Sequence, residues 1–115
     1  LDSVGGIIEA MIVGVPAGVG NPIFDGIESR LSSILFAIPA VKGVEFGDGF
    51  AVTKRRGSAN NDAPVFSGKA IRLSTNHGGG SDGGISNGMP IFSMRSSIAA
   101  RGSVPSPAAS MIRAA

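Results

Sequence analysis

No cysteine occurs in the sequence, which excludes a disulfide framework, a thiolate metal site and a cysteine nucleophile within these residues. Tryptophan and tyrosine are also absent, and phenylalanine alone makes up the 5% aromatic content. With a single histidine, His77, and no cysteine, a usual structural zinc site has too few ligands. No apolar run approaches the roughly 20 residues a membrane span needs, and LDSVGGIIEA lacks the basic start of a secretory signal. A soluble, cytoplasmic protein is therefore expected, with no nucleic acid or membrane as partner. Ten basic against eight acidic residues leave a net charge of only +2, too small to argue for nucleic acid.

What is abundant is glycine, with 18 in 115 residues, against an average usage of about 7%. Six of them fall in one run, TNHGGGSDGGISNGMPIF, from Thr75 to Phe92. Glycine loses the most conformational freedom on folding, so an ordered block of this density needs a reason. A linker, a phosphate cradle and a floor that something approaches closely are the three readings. Charge is patterned as well. Lys54, Arg55 and Arg56 are adjacent, and Arg95, Arg101 and Arg113 follow Asp82 with no acid among them. A solvated basic face explains both groups most simply.

Hydrophobic periodicity predicts an α+β fold of antiparallel strands packed on a long amphipathic helix. Gly6 to Val13 (GIIEAMIV) reads as a mostly buried strand. Asn21-Pro22 resembles a helix start, and Ile23, Ile27, Leu31, Ile34, Leu35 and Ile38 recur at spacings of three and four until Pro39 stops the helix. Asp25 and Glu28 suit its first turns. Val41 to Phe46 reads as a strand, Gly47 to Gly49 as a tight turn, and Phe50 to Thr53 as a short return strand. Lys54 to Pro64 reads as a polar loop, Lys69 to Ser74 as an edge strand, and Met89 to Phe92 as a short apolar stretch. The last part is low in complexity and fits either a mobile tail or a short helix capped at Ser106-Pro107. No internal repeat is found.

Generic motifs give little. Gly78 to Gly83 satisfies G-x-G-x-x-G, but no helix pattern follows it and no acid stands about twenty residues on, so the dinucleotide reading fails. A phosphate loop needs a lysine followed by serine or threonine after its last glycine, and none is present. His77 with Asp82 could do acid–base work, yet no nucleophile signature accompanies them, and a histidine hydrogen-bonded in a loop is favoured. Glu45, Asp48, Asp62 and Asp82 all lie near glycines and are expected as turn residues or solvated carboxylates.

Several ordered runs nevertheless resemble one family. They are Asp2 to Gly6 (DSVGG), Gly14 to Phe24 (GVPAGVGNPIF), Ile38 to Glu45 (IPAVKGVE) and Gly47 to Phe50 (GDGF). Gly57-Ser58 with Asn61-Asp62, and Thr75-Asn76-His77 with Gly83 to Gly88 (GGISNG), complete them. Together they are similar to chorismate synthase from near its middle onward. The resemblance covers residues 1–92, with 93–115 as a divergent tail.

The resemblance implies a β-α-β sandwich, usually a homotetramer, and a lyase of aromatic amino acid biosynthesis in the shikimate pathway. Its reaction is a reduced-FMN-dependent anti 1,4-elimination of phosphate from 5-enolpyruvylshikimate 3-phosphate, giving chorismate. It further implies that Pro39 and Ala40 touch flavin, that Gly83 lies against it, and that Ser96 and Ser97 hold its phosphate. No catalytic residue carries over, because the family's first half, with its substrate-binding arginines and catalytic histidines, has no counterpart here. Neither do a Lys-Pro-Thr segment before Arg95 and a distal arginine–aspartate motif. This chain alone is therefore expected to be inactive, and to self-associate or pair with the absent half. A non-catalytic flavin- or phosphate-binding paralogue, or a shortened subunit packing on a full-length one, are the other readings. Ser81-Asp82 stands where the family has apolar residues. A carboxylate buried in such a pocket would cost several kcal/mol, so both residues are expected to turn away from it.

Overall fold

The computed structural model describes residues 4–98, and for Phe92–Ser96 and Ile98 only the main chain. A three-stranded antiparallel sheet forms its framework. β1 (Gly6–Ile12) and β2 (Val41–Glu45) flank a central β3 (Ile91–Ile98), so the last strand in sequence lies between the two earlier ones. Ile7 pairs with Ser97 and Glu9 with Arg95 on one side of β3, and Gly43 with Ser97 and Glu45 with Arg95 on the other. The short apolar stretch read at Met89–Phe92 thus leads into a strand that begins at Ile91 and runs to Ile98. The rest of the 93–115 segment, with the Ser106-Pro107 cap, lies outside the described residues.

One α-helix, α1 (Ile27–Phe36), packs beside β2. The expected long helix from Asn21 to Pro39 is corrected to these 10 residues. Its intended first turn is diverted: Asn21 N–H bonds Asp25 O at 3.2 Å, and Ile23 has φ +71°. The helix can begin only after Gly26, whose backbone is buried against Gly84, and the Ile27 N–H bonds Gly84 O at 2.9 Å. Ile27, Leu31 and Leu35, spaced by four, form its half-buried stripe, while Ile34 and Ile38 are exposed. Pro39 follows the helix end as expected.

Two expectations for the chain after β2 are also corrected. Phe50–Thr53 is not a strand but part of a 3-10 turn, Gly49–Lys54. Local polar groups hold it, with Ala51 N–H on Asp48 O at 2.9 Å, the Phe50 N–H on Glu45 Oε1 at 3.1 Å and the Thr53 hydroxyl on Phe50 O at 2.8 Å. The Lys54–Pro64 loop contains a single helical turn, α2 (Gly57–Asn60). The Lys69–Ser74 strand, observed as β5 (Ala70–Leu73), pairs in a hairpin with β4 (Pro64–Ser67), where Gly68 at φ +64° supplies the turn.

β1 was read as buried, yet it is exposed along nearly its whole length. Among the described residues, Val41 and Ile91 are the only fully buried hydrophobic ones. Ile7, Phe24, Phe50 and Phe66 are 71%, 90%, 78% and 86% exposed. Among the described residues, no layer covers these apolar side chains. No described helix is long and apolar enough to cross a membrane.

Candidate flavin-facing loop

The glycine block is neither linker nor dinucleotide loop. Its middle folds into a second hairpin, β6 (Ser81–Asp82) and β7 (Ile85–Ser86), joined by Gly83-Gly84. Both turn glycines have positive φ, +59° and +84°, the combination a two-residue type I′ turn requires and one that side chains disfavour. The hairpin and the residues before it are tied to four other parts of the chain.

The first tie is Asp62. Its Oδ1 accepts the Thr75 hydroxyl at 2.6 Å and the His77 N–H at 2.8 Å, and its Oδ2 accepts the Gly78 N–H at 2.8 Å. Partial burial opposes ionisation, but these three donors outweigh it and hold the carboxyl below the usual carboxylate range. The second tie is the turn at 47–55. The Asp48 N–H bonds His77 O at 3.0 Å, and Gly47 sits so close that a Cβ there would lie 2.8 Å from Gly79 N. Asp48 Oδ2 also meets the Arg55 guanidinium and, at 2.5 Å, His77 Nδ1. The same Nδ1 lies 2.6 Å from the Arg55 guanidinium, so Asp48, Arg55 and His77 form one polar cluster. The Arg55 hydrogen bond, joined by that of His77, keeps the Asp48 carboxyl below its ordinary range.

The third tie is the connector after β1. Ser86 is buried, and its hydroxyl donates to Pro16 O at 2.6 Å while accepting the Val19 N–H at 2.9 Å. Gly18 N–H to Ser86 O and Ser86 N–H to Val19 O add a main-chain pair. Finally, Gly80 presses on the Pro90–Ile91 backbone, where a Cβ would come within 2.8 Å of Ile91 Cα, and the Asn76 amide donates to Pro90 O at 2.8 Å.

Ser81 and Asp82 have different surroundings. Ser81 is buried, its hydroxyl donating to Glu28 of α1. Asp82 is exposed, accepts the Asn87 amide at 2.8 Å, and lines a cleft with Asn60, Asp62 and Gly78. Gly83 lines a different cleft of about 550 Å³ with Pro22, Ile23, Gly26, Glu28, Ser29 and Gly84. A Cβ added at Gly83 would meet nothing within 4 Å. The space in front of it is open, which suits a planar group approaching the backbone.

The other residues singled out from the sequence lie elsewhere. Pro39 is exposed and Ala40 half-buried at φ +72°, at the turn from α1 into β2. Ser97 lines a third cleft with Ile7, Phe36, Lys42, Glu45 and Phe50, and Ser96 pairs through its main chain with Ile8 and Val44. Gly83 and Ser97 are not brought to one cleft by the described residues. Sequence reasoning missed Asp62, Asp48 and Ser86 as organisers of the block. The signals were present as Asn61-Asp62 and GGISNG, but which side chain meets which loop depends on contacts 13 to 70 positions apart.

The family model described as chorismate synthase matches residues 1–113. Chorismate synthase from Lachnoclostridium phytofermentans is 54% identical over 94 residues, covering 80% of this chain and 25% of that protein. The chorismate synthase of Korarchaeum cryptofilum is 53% identical over 92 residues, covering 79% and 25%. A crystal structure of chorismate synthase superposes with a TM-score of 0.79 at 37% identity, over 86% of this chain and 30% of that one. The chain spans about a quarter of the length of the curated relatives it matches. A family-model match over residues 1–113, with a solved member of the family sharing the fold, places the chain in the chorismate synthase family.

Proposed function

We propose that this chain supplies a flavin-facing loop and part of the sheet scaffold for the elimination of phosphate from 5-enolpyruvylshikimate 3-phosphate, a carbon–oxygen lyase reaction giving chorismate. The observation that carries this reading is Gly83: a glycine with positive φ, ordered by its neighbours, facing an open cleft that no side chain fills. The residues present fit a flavin in that sense. Pro22 and Ile23 offer an apolar wall, Gly26 and Gly84 keep the backbone low, the Asp82 carboxylate lies on another cleft, and Glu28, the one carboxylate lining this cleft, accepts the Ser81 hydroxyl. Bound there, reduced FMN would supply a transient electron to a reaction that is redox-neutral overall. What this chain contributes is shape and rigidity: Gly83 and Gly84 present main chain to the ring, and Ser81–Glu28 fixes the hairpin to α1.

Pro39 and Ala40 extend the proposed flavin contact, and Ser96 and Ser97 the phosphate contact, in an assembly that brings their clefts together. The phosphorylated substrate, the arginines to hold it and the groups that move its proton belong to the rest of a full-length enzyme. A homotetramer in the cytoplasm is the setting this reading assumes. Flavin fluorescence during FMN titration tests binding directly, with quenching expected in the micromolar range. Phosphate release with reduced FMN is expected only when the N-terminal portion of a full-length relative is added. No fluorescence change at high micromolar FMN would sink the proposal.

A further inference from the structure

Asp62 is outside the cleft that Gly83 lines, yet it anchors the same loop. Both its oxygens are used: Oδ1 by the Thr75 hydroxyl and the His77 N–H, Oδ2 by the Gly78 N–H. Gly78, Gly79 and Gly80 follow at once, and three glycines in a row have no side chains with which to fix their own course. Their path is set by what grips the ends. At the far end Gly80 is wedged on Pro90 and Ile91 and its carbonyl accepts the Asn87 N–H at 3.1 Å. At the near end the Asp62 carboxylate takes two successive main-chain N–H groups at once. Two residues after Gly80, the chain reaches Asp82 and the Gly83-Gly84 turn.

We propose that Asp62 is a positioning residue for the glycine hairpin: by fixing the main chain at Thr75–Gly78 it sets where Gly83 stands on the floor of its cleft. This rests on the flavin reading of Gly83. The carboxylate is required in both its charge and its shape, because an amide in its place offers one acceptor and turns an NH2 group toward an N–H donor. Thr75 contributes one of the three bonds and is the weaker partner in this scheme, since its loss leaves both main-chain groups paired.

The test compares the wild-type chain with Asp62→Asn and Thr75→Val by amide hydrogen exchange at His77 and Gly78 and by FMN titration. In Asp62→Asn, exchange at the two amides rises tenfold or more, about the loss expected for hydrogen bonds to a charged group, and FMN affinity falls about tenfold. Exchange in the sheet pairs of β3 stays unchanged, which separates a moved loop from an unfolded chain. Thr75→Val, which remains informative if Asp62→Asn does not fold, shifts both quantities in the same direction by about threefold. Unchanged exchange at His77 and Gly78 in both variants overturns the inference, as do freed amides with unaltered FMN affinity. Absence of FMN binding by the wild-type chain overturns the flavin reading itself, and the inference falls with it.

Discussion

The glycine block and the apolar residues of β1 and α1 are built on opposite terms. The block, Thr75 to Ile91, has six glycines and few apolar side chains, yet it contains buried Gly79, Gly80, Ser81, Ser86 and Ile91. β1 and α1 are rich in apolar residues, yet Ile7, Ile8, Met11, Ile34 and Phe36 are all more than half exposed. Polar side chains reaching back to the backbone order the first region within this chain. The second can be stabilised only by burying its apolar area, and nothing among the described residues covers it. A region rich in glycine can therefore be the finished part of a fold, while a region rich in isoleucine is left open.

The largest expected effect breaks the finished region from inside. Gly47→Ala and Gly80→Ala would each set a methyl into backbone at positive φ, so each should destabilise the chain by about 3 kcal/mol or more, read from denaturant midpoints. Gly83→Ala meets open space and should cost only about 1–2 kcal/mol, from its φ of +59°. Equal losses at Gly80 and Gly83 would erase the distinction between a packed and a ligand-facing glycine.

Acid should loosen the same region next. Asp48 and Asp62 ionise more readily in the folded chain than their ordinary value of 3.8. Their stabilising contribution is therefore complete above that value and is lost as pH falls through the lower folded-state range. Thermal melts of wild type and Asp62→Asn should differ near neutrality and converge in strong acid. A difference that persists undiminished there would contradict the hydrogen-bonded carboxylate.

The open region should respond in the reverse sense. Replacing Ile7 and Ile8 together by serine should change the stability of the isolated chain by less than about 1 kcal/mol, because both are already exposed. It should also lower self-association in sedimentation runs. A loss of several kcal/mol would mean the face is covered within the chain after all. Smaller still, Arg30→Ala removes a bridge to Asp25 whose side chains are 69% and 54% exposed, worth at most about 0.5 kcal/mol.

Much of the architecture was legible from local pattern. β1, β2 and the Ile27–Leu31–Leu35 stripe follow from residue period alone, and Pro39 ends the helix where its ring forbids another turn. The ordered motifs from DSVGG to GGISNG carried the family. What was not legible depended on partners distant in sequence. Asn21-Pro22 has good local helix-start chemistry, but the approach of Gly26 to Gly84 overrides it. Phe50–Thr53 has strand composition, but Glu45 and Asp48 offer its backbone nearer acceptors. The Gly83-Gly84 hairpin was not read, because the Ser81-Asp82 and Ile85-Ser86 pairs beside it lack the alternating hydrophobics of a strand. Asp62 as an anchor was not, since nothing in Asn61-Asp62 says which loop the carboxylate will meet.

Residue-resolved amide exchange on the wild-type chain tests the contrast most directly. Gly78, Gly79, Ser86 and Asn87 should exchange far more slowly than the edge strand β1, by about a hundredfold where the acceptors are buried. Exchange in the glycine block as fast as in β1 would show that the polar ties do not hold it, and that the ordered, flavin-facing loop does not exist in this chain.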